Sequence, residues 1–89
     1  MFTKEEILNI IEIKAKSYGA KKVVIFGSFL ENPKQYNDID IACDIEGLDL
    51  LEFAGTLENE LKIPIDVFPI DEKSDFIRSI SARGKILYG

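Results

Sequence analysis

The run Asp38-Ile39-Asp40-Ile41-Ala42-Cys43 constrains this chain more than any other stretch. Side chains on a β-strand alternate between faces, so as a strand this run places Ile39, Ile41 and Cys43 on one side and Asp38 and Asp40 on the other. The apolar side needs a packed layer against it. The acidic side carries two carboxylates about 6.5 to 7 Å apart at the backbone, from a rise of roughly 3.3 Å per residue. Ionised groups held that close repel unless a cation lies between or beside them.

The flanking sequence supplies the layers. Thr3 with Glu6 reads as a capping box, and Ile7, Leu8, Ile11, Ala15 and Tyr18 follow at helical spacing until Gly19 stops the helix. Val23 to Phe26 is a short β-branched run that reads as an interior strand ending at Gly27-Ser28. Residues 29–37 contain an Asn-Pro pair and read as a helical turn or structured loop. Asp44 to Gly47 forms a turn, after which Asp49 and Glu52 resemble a second cap pair. Leu50, Phe53, Ala54, Leu57 and Leu61 form the apolar face of a second long helix. Pro64 and Pro69 bracket a third strand, with Ile65 and Val67 facing the core and Asp66 opposite. A last helix begins between Asp71 and Ser74 with Phe76, Ile77 and Ile80 on its buried side, before Gly84 and a short tail of Ile86, Leu87 and Tyr88. The expected fold is α/β, order α-β-β-α-β-α, with helices packed on one small mixed sheet. Its 89 residues are expected to form a single domain, 1–89.

Composition narrows the chemistry. The chain has no His, which removes His-based acid/base catalysis, Ser-His and Cys-His pairs, and imidazole metal sites. One cysteine, Cys43, permits no internal disulfide; it reads as a small buried hydrophobe and suits a reducing, cytoplasmic setting. Lys plus Arg is 11 against 16 for Asp plus Glu, a net charge of -5, which opposes bare polynucleotide as the direct partner. No leading basic segment precedes an apolar run, so neither a signal peptide nor a membrane span is expected.

Carboxylates, hydroxyls, amines and backbone groups are therefore the available tools. Mg2+ suits Asp38 and Asp40, because it prefers hard oxygen ligands and is commonly held by one or two carboxylates together with substrate phosphates. If the third strand pairs beside residues 38–43, Asp66 joins them. Such a triad can hold two ions, one polarising an attacking oxygen and the other supporting the phosphates and leaving group. All three also read simply as solvent-facing strand carboxylates. Gly27 and Ser28 can present backbone N–H groups and a hydroxyl to phosphate oxygens, or serve only as a strand-ending turn and a helix cap.

The stretch GSFLENPKQYNDIDIAC, followed by IPIDVF, resembles the minimal nucleotidyltransferases of the DNA polymerase beta-like superfamily, including the MntA-type antitoxins. Their signature is Gly-Ser, a spacer near ten residues, Asp-x-Asp and a later strand-borne Asp. The resemblance implies that Gly27 and Ser28 hold the terminal phosphates of ATP or another nucleoside triphosphate. It implies that Asp38 and Asp40 ligate two Mg2+ ions, and that Asp66 ligates one and helps activate the incoming hydroxyl. The implied reaction transfers a nucleoside monophosphate, AMP from ATP, to an acceptor hydroxyl with release of pyrophosphate. Small members are often encoded beside an all-helical HEPN-domain protein and act as its antitoxin, in some systems by adding AMP to a tyrosine of the toxin. The sequence departs from the pattern at Phe29, where many members have Arg, at Asn32, where glycine is usual, and in a nine-residue spacer between Ser28 and Asp38.

Three functions fit: a metal-dependent transferase acting on a partner protein, a catalytically weak or inactive antitoxin-like binder, and a nucleotide-binding subunit of a larger transferase. The lost Arg removes charge near the phosphates unless Lys34, Lys62 or a partner supplies it. Phe29 and Leu30 either pack the loop or contact a partner, and Tyr36 either stacks on a base or is an ordinary loop aromatic. A homo-oligomer is left open.

Overall fold

A computed structural model describes residues 2–31, 37–70 and 84–89. Its elements are α1 (Lys4–Ser17), β1 (Val23–Phe26), α2 (Ser28–Glu31), β2 (Ile39–Cys43), α3 (Gly47–Leu61), β3 (Ile65–Pro69) and β4 (Lys85–Tyr88). The four strands form one mixed sheet in the order β3-β2-β1-β4. β1 is antiparallel to both neighbours, while β2 and β3 run parallel. A parallel pair needs a crossover rather than a hairpin, and α3 provides it.

Local chemistry accounts for α1 as expected. Thr3 Oγ1 accepts from Glu6 N (3.1 Å) and Glu6 Oε1 accepts from Thr3 N (2.9 Å), a complete capping box. Ile7, Leu8, Ile11 and Ala15 are buried and Tyr18 is half-buried. At the end of α1, Gly19 adopts φ +79°.

α3 starts earlier than its sequence suggests. Its first residue is Gly47 and its N-cap is Glu46, which makes no side-chain capping bond; Asp49 lies inside the first turn, so Asp49 and Glu52 are not the cap pair. Gly47 takes φ +60°, a turn open to glycine that lets the chain leave β2 and enter the helix two residues before any polar cap. The buried face is as expected, with Leu50, Phe53, Leu57 and Leu61 inside.

The helical turn expected after Gly27-Ser28 is α2, and one element exceeds the sequence reading: the short tail is β4, an edge strand on β1. Tyr88 helps hold that edge by donating its hydroxyl to Ala20 O (2.8 Å). The helix expected to begin between Asp71 and Ser74 lies outside the described residues, as do Lys34 and Tyr36.

The main core lies between one sheet face and helices α1 and α3, joining Ile7, Ile11, Ile25, Ile41, Phe53 and Leu57. Strand alternation sends Val24 and Ala42 to the opposite face, where Phe26, Phe68 and Ile70 pack on them. Cys43 is buried and free, and burial pushes its thiol pKa up. Among the described residues no helix is long and apolar enough to cross a membrane.

Candidate metal and nucleotide site

Register builds the site. Antiparallel pairing sets Phe26 opposite Asp40, and parallel pairing sets Asp40 beside Asp66. Asp38 immediately precedes β2 and emerges on the same side as Asp40, two residues on. Since Ile39, Ile41 and Ile65 all enter the main core, the alternating carboxylates are directed to the opposite face. One oxygen from each of Asp38, Asp40 and Asp66 lies within 4.8 Å of the others. The structure therefore brings together the three acids that the sequence singled out.

β3 is anchored where it matters for Asp66. Glu58 Oε1, projecting from α3, accepts a hydrogen bond from Ile65 N (2.9 Å), one residue before Asp66. Beyond the other end of β2, the Asp44 carboxylate accepts from Lys21 N (2.9 and 3.0 Å) and Lys22 N (3.3 Å) and fixes the entry to β1. Neither contact was anticipated, because each joins an acid to backbone across a turn that periodicity does not report.

Gly27 lies against the acids. Its φ is +81°, and a Cβ built on it would overlap Asp40 Oδ2. The position therefore demands glycine twice, for its backbone and for its missing side chain. Its carbonyl accepts from Leu30 N (3.1 Å) and Glu31 N (3.2 Å), which starts α2 at Ser28. Gly27 and Ser28 thus follow β1 directly, beside the strand position that pairs with Asp40.

Phe29 resolves to packing. It is fully buried in the main core, with Lys4 Nζ 5.7 Å from its ring centre, and Leu30 packs partly against the same core. Lys62, one of the expected charge substitutes, occupies the left-handed C-cap of α3 and donates from Nζ to Asn59 Oδ1 (3.5 Å). Its helix packs on the sheet face opposite the carboxylates.

The electrostatics match a cation site. Burial, reinforced by the charges of Asp38 and Asp66 and by a hydrogen bond with Asp66, pushes the Asp40 carboxyl up to about 6. Mg2+ binds hard oxygens at about 2.0–2.1 Å, so cis and trans ligand oxygens lie roughly 3 to 4 Å apart. Three carboxylate oxygens within 4.8 Å of one another meet that requirement after small side-chain adjustment.

The raised pKa has a signed consequence. From roughly pH 4 to 6 the folded chain holds a proton on Asp40 that the unfolded chain has released, so this group's stabilising contribution is present at low pH and lost as pH rises through about 6. A bound divalent cation reverses the preference by favouring the ionised form. The increase in melting temperature on adding Mg2+ should therefore be larger at about pH 8 than at about pH 5. Equal increases at both pH values would refute the assignment of Asp40 as a proton-competitive ligand.

The family model for polymerase beta nucleotidyltransferases matches residues 8–89. The chain belongs to this nucleotidyltransferase family. Among solved structures, a chain in a crystal structure of a toxin–antitoxin with AMP-PNP is 23% identical with a TM-score of 0.77, covering 92% of this chain and 73% of its own. A chain from the toxin–antitoxin MntA-HepT gives 21% identity and a TM-score of 0.73, covering 96% and 72%. A third, from a tri-AMPylated Shewanella oneidensis HEPN toxin in complex with MNT antitoxin, gives 22% and 0.75, covering 97% and 72%. At these identities the likeness is one of fold. A search of curated proteins gave no match. In this nucleotidyltransferase, the mixed sheet and the acidic cluster together form a framework with catalytic potential.

Proposed function

We propose that this nucleotidyltransferase transfers AMP from ATP to a hydroxyl of a HEPN-domain partner protein and acts as the antitoxin of that pair in the cytoplasm. The convergence of Asp38, Asp40 and Asp66 from adjacent parallel strands carries the reading. Burial, with the charges of Asp38 and Asp66 added to it, disfavours an ionised Asp40, and a cation held between the three carboxylates would offset that cost. The toxin–antitoxin structures with AMP-PNP and with a tri-AMPylated HEPN toxin support the choice of nucleotide and partner.

Asp38 and Asp40 would hold two Mg2+ ions, and Asp66 one of them. Bound Mg2+ supplies charge neutralisation for the triphosphate and polarises the attacking oxygen. The chain's own residues then have distinct tasks. Gly27 clears the space beside Asp40 and, with Ser28, presents backbone N–H groups and a hydroxyl to the terminal phosphates. Asp66 would accept the proton of the acceptor hydroxyl as its oxygen bonds to the α-phosphorus and the bond to pyrophosphate breaks. Because the described residues offer little surface for gripping a large acceptor, the partner protein would contribute its own alignment.

A second reading, binding without transfer, is favoured by one observation. Phe29, at the position where many relatives have Arg, is buried and brings no charge to the phosphates. Incubating the purified chain and its HEPN-domain partner with α-labelled ATP and Mg2+ separates the two. Transfer predicts label on the partner that falls by about 10³ for Asp38→Asn and Asp66→Asn, equivalent to roughly 4 kcal/mol. A stable complex with no wild-type labelling leaves binding alone, and undiminished labelling by Asp66→Asn rejects its assigned role.

A further inference from the structure

The outward face of α3 is unexplained by the fold or by the acidic site. Leu48 and Leu51, one helical turn apart, are 83% and 65% exposed. A single exposed leucine is ordinary, but two on one stripe are joined a turn later by Gly55. Glycine is the least favourable helix-interior residue apart from proline. At Gly55 a Cβ would meet nothing within 4 Å, so packing inside the described structure does not call for it. Glycine on an exposed helix face lets another backbone approach closely, and the two leucines lie beside that point.

The charge around the stripe says what approaches. α3 carries Asp49, Glu52, Glu58 and Glu60, follows Glu46, and contains no Lys or Arg. Glu60 is paired with Lys14 (3.4 Å) and Glu58 holds Ile65 N, which leaves Glu46, Asp49 and Glu52 as the exposed acids closest in sequence to the leucines. A second copy of the chain would set these acids against their own equivalents across a two-fold axis. A partner with basic side chains around an apolar ridge meets both features.

We infer that Leu48, Leu51 and Gly55 form the docking stripe for a helix of the partner protein, one that carries apolar side chains seated over Gly55 and Lys or Arg facing Glu46, Asp49 and Glu52. The identity of the partner rests on the function proposed above. The stripe itself rests on exposure, the unneeded glycine and the acidic rim. It lies on the far side of α3 from the core, so the acceptor hydroxyl would have to reach the carboxylate face of the sheet from another segment of the docked partner.

The test uses the full chain and its HEPN-domain partner in calorimetric titrations. Gly55→Leu should leave the melting temperature unchanged or higher, since the space is open and helix propensity improves, yet weaken binding at least tenfold. Leu48→Ala and Leu51→Ala should each weaken it similarly, and raising the salt should slow association through loss of the rim attraction. Wild-type binding with undiminished binding by Gly55→Leu and Leu51→Ala overturns the stripe while leaving the proposed function standing. No wild-type binding overturns the HEPN assignment, and with it the occupant. Self-association that Leu51→Ala abolishes while partner binding persists overturns the inference in favour of a second copy.

Discussion

Replacing Asp40 with Asn is expected to make the metal-free protein more stable while removing its transfer activity. The two effects share one cause. Partial burial disfavours the ionisation of Asp40, and the neighbouring Asp38 and Asp66 carboxylates add to that penalty, so its pKa is pushed up to about 6. At about pH 8 the native state must therefore carry a charge it resists. Asparagine keeps the size of the side chain, removes the charge and can donate to the Asp66 carboxylate. The gain should be on the order of 1 kcal/mol, less than the full shift would give because water still reaches and screens the group. It should shrink toward zero near pH 5, where the wild-type carboxyl is already protonated. Transfer should fall by about 10³ or more, since a metal contributes several kcal/mol to charge neutralisation in such a reaction. Thermal melts without metal at the two pH values, and labelling with Mg2+, check both halves. A destabilised Asp40→Asn protein would show that its carboxylate is structural.

This combination of strained charge and function was partly legible in the sequence. The alternation Asp38-Ile39-Asp40-Ile41 declared which face the acids occupy, because a period of two leaves no freedom once Ile39 and Ile41 must be buried. That Asp66 would lie beside Asp40 depended on β2 and β3 being parallel neighbours, a pairing suggested by the intervening helix but established by the register. α1 and α3 were readable because their apolar residues recur at the helical period, and β1 because an unbroken, largely β-branched run suits a strand covered on both faces. β4 was not, since its partner β1 lies some sixty residues earlier and a four-residue run, Lys85–Tyr88, has too few alternations to declare itself. The start of α3 was also obscured, because Gly47 rather than a polar cap makes the turn into it.

The contacts that hold the site in place were the least legible. Glu58 looks like a solvated helix residue in sequence, yet it bonds the backbone that leads into Asp66. Asp44 looks like part of a turn and instead accepts from the backbone entering β1. Both are side chain-to-backbone bonds across a change of element, which no single-residue periodicity encodes. Phe29 posed the reverse problem. Placed next to Gly27-Ser28 it read equally as a partner contact, and only the direction of α2 puts its ring into the core.

The second large effect is expected at Gly27. Gly27→Ala places a methyl group where Asp40 Oδ2 now lies, and it does so at a φ of +81°, which L side chains rarely adopt. The two penalties fall on different properties. The backbone strain is charged to folding and should lower stability by about 1–2 kcal/mol. The overlap involves the far end of a side chain, so the fold can relieve it by swinging the Asp40 carboxylate away. That movement withdraws one ligand from the other two acids. Mg2+ affinity and transfer should then fall nearly as far as in Asp40→Asn, although the carboxylate is still present. A double-mutant cycle isolates the effect: in an Asp40→Ala background the colliding atom is gone, so Gly27→Ala should cost only its backbone strain and cause no further loss of Mg2+-induced stabilisation. If Gly27→Ala instead weakens Mg2+ binding equally in both backgrounds, the glycine serves the metal site by a route other than making room for Asp40.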